Sequence, residues 1–194
     1  MKTDIILAGV GGQGILSIAA VIGHAAVSKN LFLKQSEVHG MSQRGGDVQS
    51  HLRISDKEIA SDLIPLGSAD LILSVEPMEA LRYLPYLSSK GTVVTNLTPF
   101  NNINDYPSVE ALNKKIKELP RAIALDADAI AKEAGSARAS NIVMLGAASP
   151  YLQTSFESLE DGIRQLFGKK GPEIVETNLK ALRAGRAFAE ANKQ

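Results

Sequence analysis

Asp4-Ile-Ile-Leu-Ala8 runs through Gly9-Val-Gly11-Gly12-Gln13-Gly14 straight into Ile15-Leu-Ser-Ile-Ala-Ala-Val-Ile-Gly-His-Ala-Ala-Val27. The apolar run over 4–8 reads as a buried strand and residues 13–28 as a helix, with a glycine turn between them. Glycines at 9, 11 and 14 satisfy the G-x-G-x-x-G spacing of dinucleotide-binding folds. Such a turn lets backbone amides approach an anion at the positive end of the helix. The same glycines also serve a tight strand-to-helix crossing with no ligand. The amide of Gln13, at the helix start, suits either a ligand or a neighbouring loop. A nicotinamide site would add an acidic residue closing the second strand. Glu37 follows Gly14 by 23 residues but runs into His39-Gly40 instead of a helix-forming stretch. A dinucleotide-binding protein or cofactor sensor therefore stands as the alternative reading.

Outward from this turn, further Ile/Val/Leu-rich strands are expected at 31–36, 48–54, 70–75, 92–96 and 121–126, with helices at 77–88 and 108–118. The alternation predicts an α/β fold: a Rossmann-like, doubly wound, mostly parallel sheet with a helical C-terminal third. Residues 48–60 break the pattern. Their alternation, followed by Asp56-Lys57 and Glu58-Ile59-Ala60, predicts an inserted β-hairpin. Pro99–Pro107 reads as a surface loop. Gly171-Pro172 marks a break before a last helix carrying Ile174, Asn178, Ala181, Leu182, Gly185 and Phe188 on one face. A single domain over 1–194 is expected.

Composition narrows the function. Lys plus Arg equals Asp plus Glu, at 21 each, so no bulk field favours nucleic acid or an anionic membrane. Neither a membrane span nor a signal peptide is legible, and a cytoplasmic protein is expected. Cysteine is absent, which removes disulfides, a thiol nucleophile and cysteine-ligated clusters. The three histidines, His24, His39 and His51, are too scattered to suggest a metal site.

The second informative stretch is Glu37-Val-His39-Gly40-Met-Ser42-Gln43-Arg44-Gly45-Gly46-Asp47. Three glycines among seven positions imply a loop with backbone angles that other residues tolerate poorly. Arg44 carries a planar fork suited to phosphate or carboxylate, although an ion pair with Glu37 or Asp47 would occupy it equally well. His39 offers a proton donor or acceptor, and a structural hydrogen bond is its simpler role. The loop is expected to overhang the carboxyl ends of the strands, where ligands bind in such sheets.

G-V-G-G-Q-G at 9–14 together with H-G-M-S-Q-R-G-G at 39–46 resembles the gamma-type subunit of the 2-oxoacid:ferredoxin oxidoreductases, in its indolepyruvate version. Glu76-Pro-Met-Glu-Ala-Leu-Arg82, Gly91-Thr-Val-Val-Thr-Asn96, Ala139-Ser-Asn141-Ile-Val-Met-Leu-Gly146 and the last helix support the likeness over nearly the whole chain. The resemblance implies a complex that decarboxylates a 2-oxoacid on thiamine diphosphate. Electrons then pass through [4Fe-4S] clusters to ferredoxin, and an acyl-CoA is released. It also implies that a larger partner subunit holds the thiamine diphosphate and the clusters and meets ferredoxin, so no cofactor is bound wholly by this chain. Aryl pyruvates are the expected substrates, with pyruvate and 2-oxoglutarate open. No catalytic or metal-ligating residue is implied here. The residues implied to contact coenzyme A or the partner are Gly9, Gly11, Gly12, Gln13, Gly14, His39, Ser42, Gln43, Arg44, Gly45 and Gly46. For Glu76, Asn96 and Asn141, capping of helix ends and turns is at least as good a reading.

Overall fold

The computed structural model describes residues 1–40, 45–101 and 103–192. Strand β1 (Lys2–Val10) leads through the glycine turn to α1 (Ile15–Val27), then β2 (Phe32–His39) and β3 (Asp47–Ser55). Next come β4 (Ala69–Ser74), α2 (Pro77–Arg82), β5 (Leu87–Asn96), α3 (Val109–Lys117), β6 (Ala122–Leu125) and α4 (Ala127–Glu133). Helices α5 (Ser140–Ala148), α6 (Phe156–Phe167) and α7 (Pro172–Ala191) complete the described elements. The six strands lie in the order β2-β3-β1-β4-β5-β6. The β1–β4, β4–β5 and β5–β6 pairs are parallel, whereas β3 is antiparallel to both β1 and β2. The α/β, mostly parallel sheet read from the sequence is therefore present.

The hairpin is built from other segments than expected. Strand β3 pairs with β2, from Phe32↔Ser55 to His39↔Val48, and not with residues 58–60. Both edges of β3 are already occupied, by β1 and β2, so no hydrogen-bonding edge is left for a third strand. The segment after β3 is instead gathered by Arg53, which donates to the carbonyls of Ser61 and Leu63, both at 2.9 Å. Its other guanidinium bonds go to the fully buried Asp4, at 2.8 and 3.1 Å, so one side chain closes the hairpin's base. Because Glu37, Val38 and His39 belong to β2, the glycine-rich connection is shorter than the sequence suggested.

The helix expected over 77–88 stops at Arg82, and a short 3-10 turn containing Pro85 hands the chain to β5. That strand starts five residues earlier than expected, at Leu87. On α7, Asn178, Ala181, Leu182 and Gly185 are buried as the pattern required, but Ile174 is exposed and Phe188 only half-buried.

One face of the sheet carries α1 and α4–α7. Ile5, Leu7, Leu52, Leu71 and Leu73 meet Ile18, Ile22, Ile142, Leu145 and Leu182 there. The smaller opposite core joins Ile6, Ala8, Ile72 and Val93 to Ala80 and Tyr83. Its border includes His51, whose Nδ1 accepts the Ile64 amide proton at 2.9 Å and whose ring meets Tyr86 edge-on at 5.3 Å. Burial holds the His51 pKa below its ordinary value. The unfolded chain then binds a proton near pH 6.5 that the folded chain refuses, so acidification through that range lowers stability. This contribution is limited to about 1.4 kcal/mol per pH unit. Urea unfolding at pH 7.5 and 5.5 tests it: His51→Gln should remove that component of the acid-induced drop in midpoint.

Candidate functional site

The turn after β1 is held from within the protein. Gly12 and Gly14 adopt φ of 99° and 80°, in the left-handed region that favours glycine. At Gly9 the demand is for space, since a Cβ would sit 2.4 Å from Val75 Cγ2. The Gln13 side chain accepts the Val10 amide proton at 2.8 Å and donates to the Val75 carbonyl at 3.4 Å. It thereby staples the end of β1 to the chain leaving β4. From the other side, Asn141 Nδ2 donates to the Gly14 carbonyl at 3.1 Å. Of the two roles open to the Gln13 amide, the structure realises the bond to neighbouring chain.

The two glycine motifs are joined directly. Gly11 N–H donates to the Gly46 carbonyl at 2.8 Å, and Gly45 N–H to the Gly11 carbonyl at 3.4 Å. Gly45 and Gly46, just before β3, thus lie against the turn at the carboxyl end of β1. Ser42, Gln43 and Arg44 fall outside the described residues. His39 is brought to the same end of the sheet, but its exposed side chain pairs with Glu37 and lines neither cleft described below.

Helix α1 presents an open positive end. Its N-cap, Gly14, supplies no side-chain cap, and its first turn contains no acidic residue. A cleft of about 530 Å³ lies in front of Gly12, Gln13 and Gly14. Its rim carries Arg138 and Lys170, with Glu173 as its acid. The turn residues and two cations thus line one volume, an arrangement whose chemistry suits a phosphate-bearing group, although the Gly11 and Gln13 amides are already bonded to Gly46 and Val10. Arg138 and Lys170 are not legible as site residues from the sequence, because more than a hundred residues separate them from the turn. The available signal was glycine: Gly135 (φ 114°) and Gly171 (φ 99°) mark the chain reversals beside these cations.

A second cavity of about 200 Å³ opens at the carboxyl ends of β1, β4 and β5 and is lined by Gln13, Asn96, Phe100 and Asp128 among others. Here the polar residues are largely occupied with structure. Asn96 accepts from the Ala127 amide at 3.0 Å and donates to Asp128 at 3.1 Å, locking β5 to the start of α4. Glu76, fully buried, caps α2 through the Glu79 amide at 2.9 Å and also accepts from Phe100 N and the Tyr106 hydroxyl. Burial, reinforced by the bond to Glu76, raises the Tyr106 pKa, so at neutral pH the hydroxyl keeps the proton it donates. Burial likewise raises Glu79, which Arg82 pairs at 2.9 Å, while burial and the nearby Asp47 push Tyr83 up to about 12. Capping and turn closure are therefore the observed roles of Glu76, Asn96 and Asn141. Tyr106→Phe should leave α2 capped while releasing the Tyr106 tie to Glu76 and keeping that of the Phe100 amide. Hydrogen exchange is expected to speed up at the Phe100 amide and to stay unchanged at Glu79.

A nicotinamide geometry is not built. The strand following α1 lies at the sheet edge with β3 between it and β1, which sets Glu37 roughly 10 Å from β1 across two strand spacings. Its carboxylate already meets His39 and Gln35.

Residues 4–188 match the family described as pyruvate ferredoxin/flavodoxin oxidoreductase. The chain belongs to this family. It is 37% identical over 194 residues to the indolepyruvate oxidoreductase subunit IorB of Archaeoglobus fulgidus, covering 95% of this chain and 94% of that subunit. The IorB subunit of Pyrococcus horikoshii is 38% identical over 192 residues, covering 94% and 93%. Among solved structures, the gamma subunit of a keto/oxoacid ferredoxin oxidoreductase from Geobacter sulfurreducens superposes with a TM-score of 0.71 at 25% identity, over 97% of this chain and 99% of that one. The 2-oxoglutarate:ferredoxin oxidoreductase of Magnetococcus marinus, with 2-oxoglutarate, coenzyme A and succinyl-CoA bound, shares the fold at a TM-score of 0.78 and 23% identity. There the match covers 98% of this chain and 31% of the other. Its relatives are thus subunits of oxidoreductase complexes, and among the described residues no helix is long and apolar enough to cross a membrane.

Proposed function

We propose that the chain is the small subunit of an indolepyruvate:ferredoxin oxidoreductase, converting an aryl pyruvate, coenzyme A and oxidised ferredoxin to an aryl-acetyl-CoA, carbon dioxide and reduced ferredoxin. Full-length similarity to IorB subunits supports the substrate class. The chain has no cysteine with which to hold an iron–sulfur cluster, so the clusters belong to the larger partner, as does the thiamine diphosphate. The contribution of this chain is the binding of coenzyme A. The observation that carries this is the open end of α1 facing the cleft with Arg138 and Lys170. Arg44, which lies outside the described residues, is proposed on its sequence motif alone to contribute a further cation. The proposed reaction, drawing on a ferredoxin, fits a protein that acts in the cytoplasm.

The test is purification of this chain with its partner from anaerobic extract, followed by CoA-dependent reduction of ferredoxin with indolepyruvate, pyruvate and 2-oxoglutarate. A co-purifying larger protein and turnover favouring indolepyruvate support the proposal. Recovery of the chain alone, or turnover by the larger protein without it, overturns it.

A further inference from the structure

The edge of the sheet at β2 is open, and a helix beside it carries a matching apolar stripe. Among the described residues no strand lies on the far side of β2. Gly40 N–H donates to the Asp47 carbonyl at 3.0 Å, so by antiparallel alternation the even-numbered residues of β2 direct their backbone groups at β3. Leu33, Gln35, Glu37 and His39 then direct theirs outward. Above this edge lies α1. Its Gly23 packs on Leu33, and its Val21 packs on Gly162 of α6 on the opposite flank. At 3.6 residues per turn, Leu16, Ala20 and Val27 fall within about 40° of one another on the Gly23 side, away from α6. All three are exposed, Leu16 at 56% and Val27 at 60%. Beneath the edge, on the other face, Phe32 and Val38 are 49% and 59% exposed.

We infer that β2 is a self-pairing edge, and that its occupant is the β2 strand of a second copy of this chain. Neighbouring strands related by a two-fold axis must be antiparallel, with the axis perpendicular to the sheet, so each residue faces one of equal parity. Centring the axis on Gln35 places Phe32 opposite the second copy's Val38, and Val38 opposite its Phe32. These are non-hydrogen-bonded pairs, in which side chains approach most closely. Gln35 pairs with its own copy, Leu33 with Glu37, and Lys34 with Ser36, so no charge directly faces a like charge. The same axis lays the two α1 stripes against each other above the seam. Shifting the centre to Ser36 would set Lys34 against Val38 and leave Phe32 unmatched. Because the strands run oppositely, the two hairpin connections lie at opposite ends of an eight-residue seam, roughly 25 Å apart.

The absence of cysteine gives this pairing a clean test. Gln35→Cys would bring two thiols together across the axis, at the roughly 5.5 Å Cα separation that a disulfide accepts. Oxidation of the full chain, alone and in complex with its partner, should give a disulfide-linked dimer from Gln35→Cys. Leu33→Cys and Ser36→Cys should give little. Light scattering should report twice the 20.6 kDa chain mass for the isolated wild type, and Val27→Glu should return it to one chain with its circular dichroism intact. A monomer with no cross-link at position 35, a cross-link from Ser36→Cys in preference, or a cross-link from Gln35→Cys to the larger subunit would each overturn the inference. None of these readouts depends on coenzyme A or on turnover.

Discussion

Gly185→Ala is expected to lower the thermal midpoint by roughly 6–12 °C, although alanine is the better helix former by about 1 kcal/mol. Helices α5 and α7 cross in backbone contact. A Cβ at Gly185 would sit 1.9 Å from the Val143 carbonyl oxygen, and one at Gly146 would sit 2.0 Å from that of Leu182. Backbone cannot swing aside as a side-chain tip does, so the helices must separate and open the packing around Val143 and Leu182. Overpacking in a core costs about 1–3 kcal/mol, and a backbone collision belongs at or above the upper end. Gly168→Ala is the control: its Cβ meets nothing within 4 Å and its φ of −53° suits any residue. Equal melting of the two variants would refute the close crossing.

The second large effect is functional and follows from the proposed coenzyme A site. Arg138→Ala and Lys170→Ala should each raise the KM for coenzyme A about tenfold at low salt, and together about a hundredfold. A charge-assisted hydrogen bond contributes about 1.5–3 kcal/mol, and both cations are exposed, which puts them at the lower end. The KM for the 2-oxoacid should hold, because the proposed function assigns that pocket to the larger subunit. The penalty should shrink as salt rises, since exposed charges are screened. A double variant with unaltered affinity for coenzyme A would remove the cleft from the proposed site. A variant that no longer assembles with its partner would make it an interface instead.

Local signals in the chain were read correctly wherever the neighbour they required was close in sequence. The strand–turn–helix at the N-terminus is one case; the meeting of Gly11 with Gly46 is a longer-range contact, made because β1 ends where the antiparallel β3 begins. Alternation over 48–54 identified β3, but alternation does not name a partner. Glu58-Ile59-Ala60 looked like one, whereas β2 had already taken that edge. Strand β2 itself was cut short because His39-Gly40 reads as loop, and only pairing with Val48 and Asp47 carries it to His39. The cleft was half legible. Its amides announce themselves as glycines, while Arg138 and Lys170 are brought in by the packing of the helical C-terminal third on α1, and no spacing rule encodes that.

The Gln13 staple also bears on how a ligand is received. The awkward backbone angles at Gly12 and Gly14 are fixed in the folded chain by Gln13 and Asn141, not by anything that arrives later. The conformational entropy of ordering the turn is therefore spent during folding and does not subtract from affinity. An anion bound at the proposed site would meet a turn already set, and residues on the rim could change to suit a different acyl carrier without the turn having to be relearned.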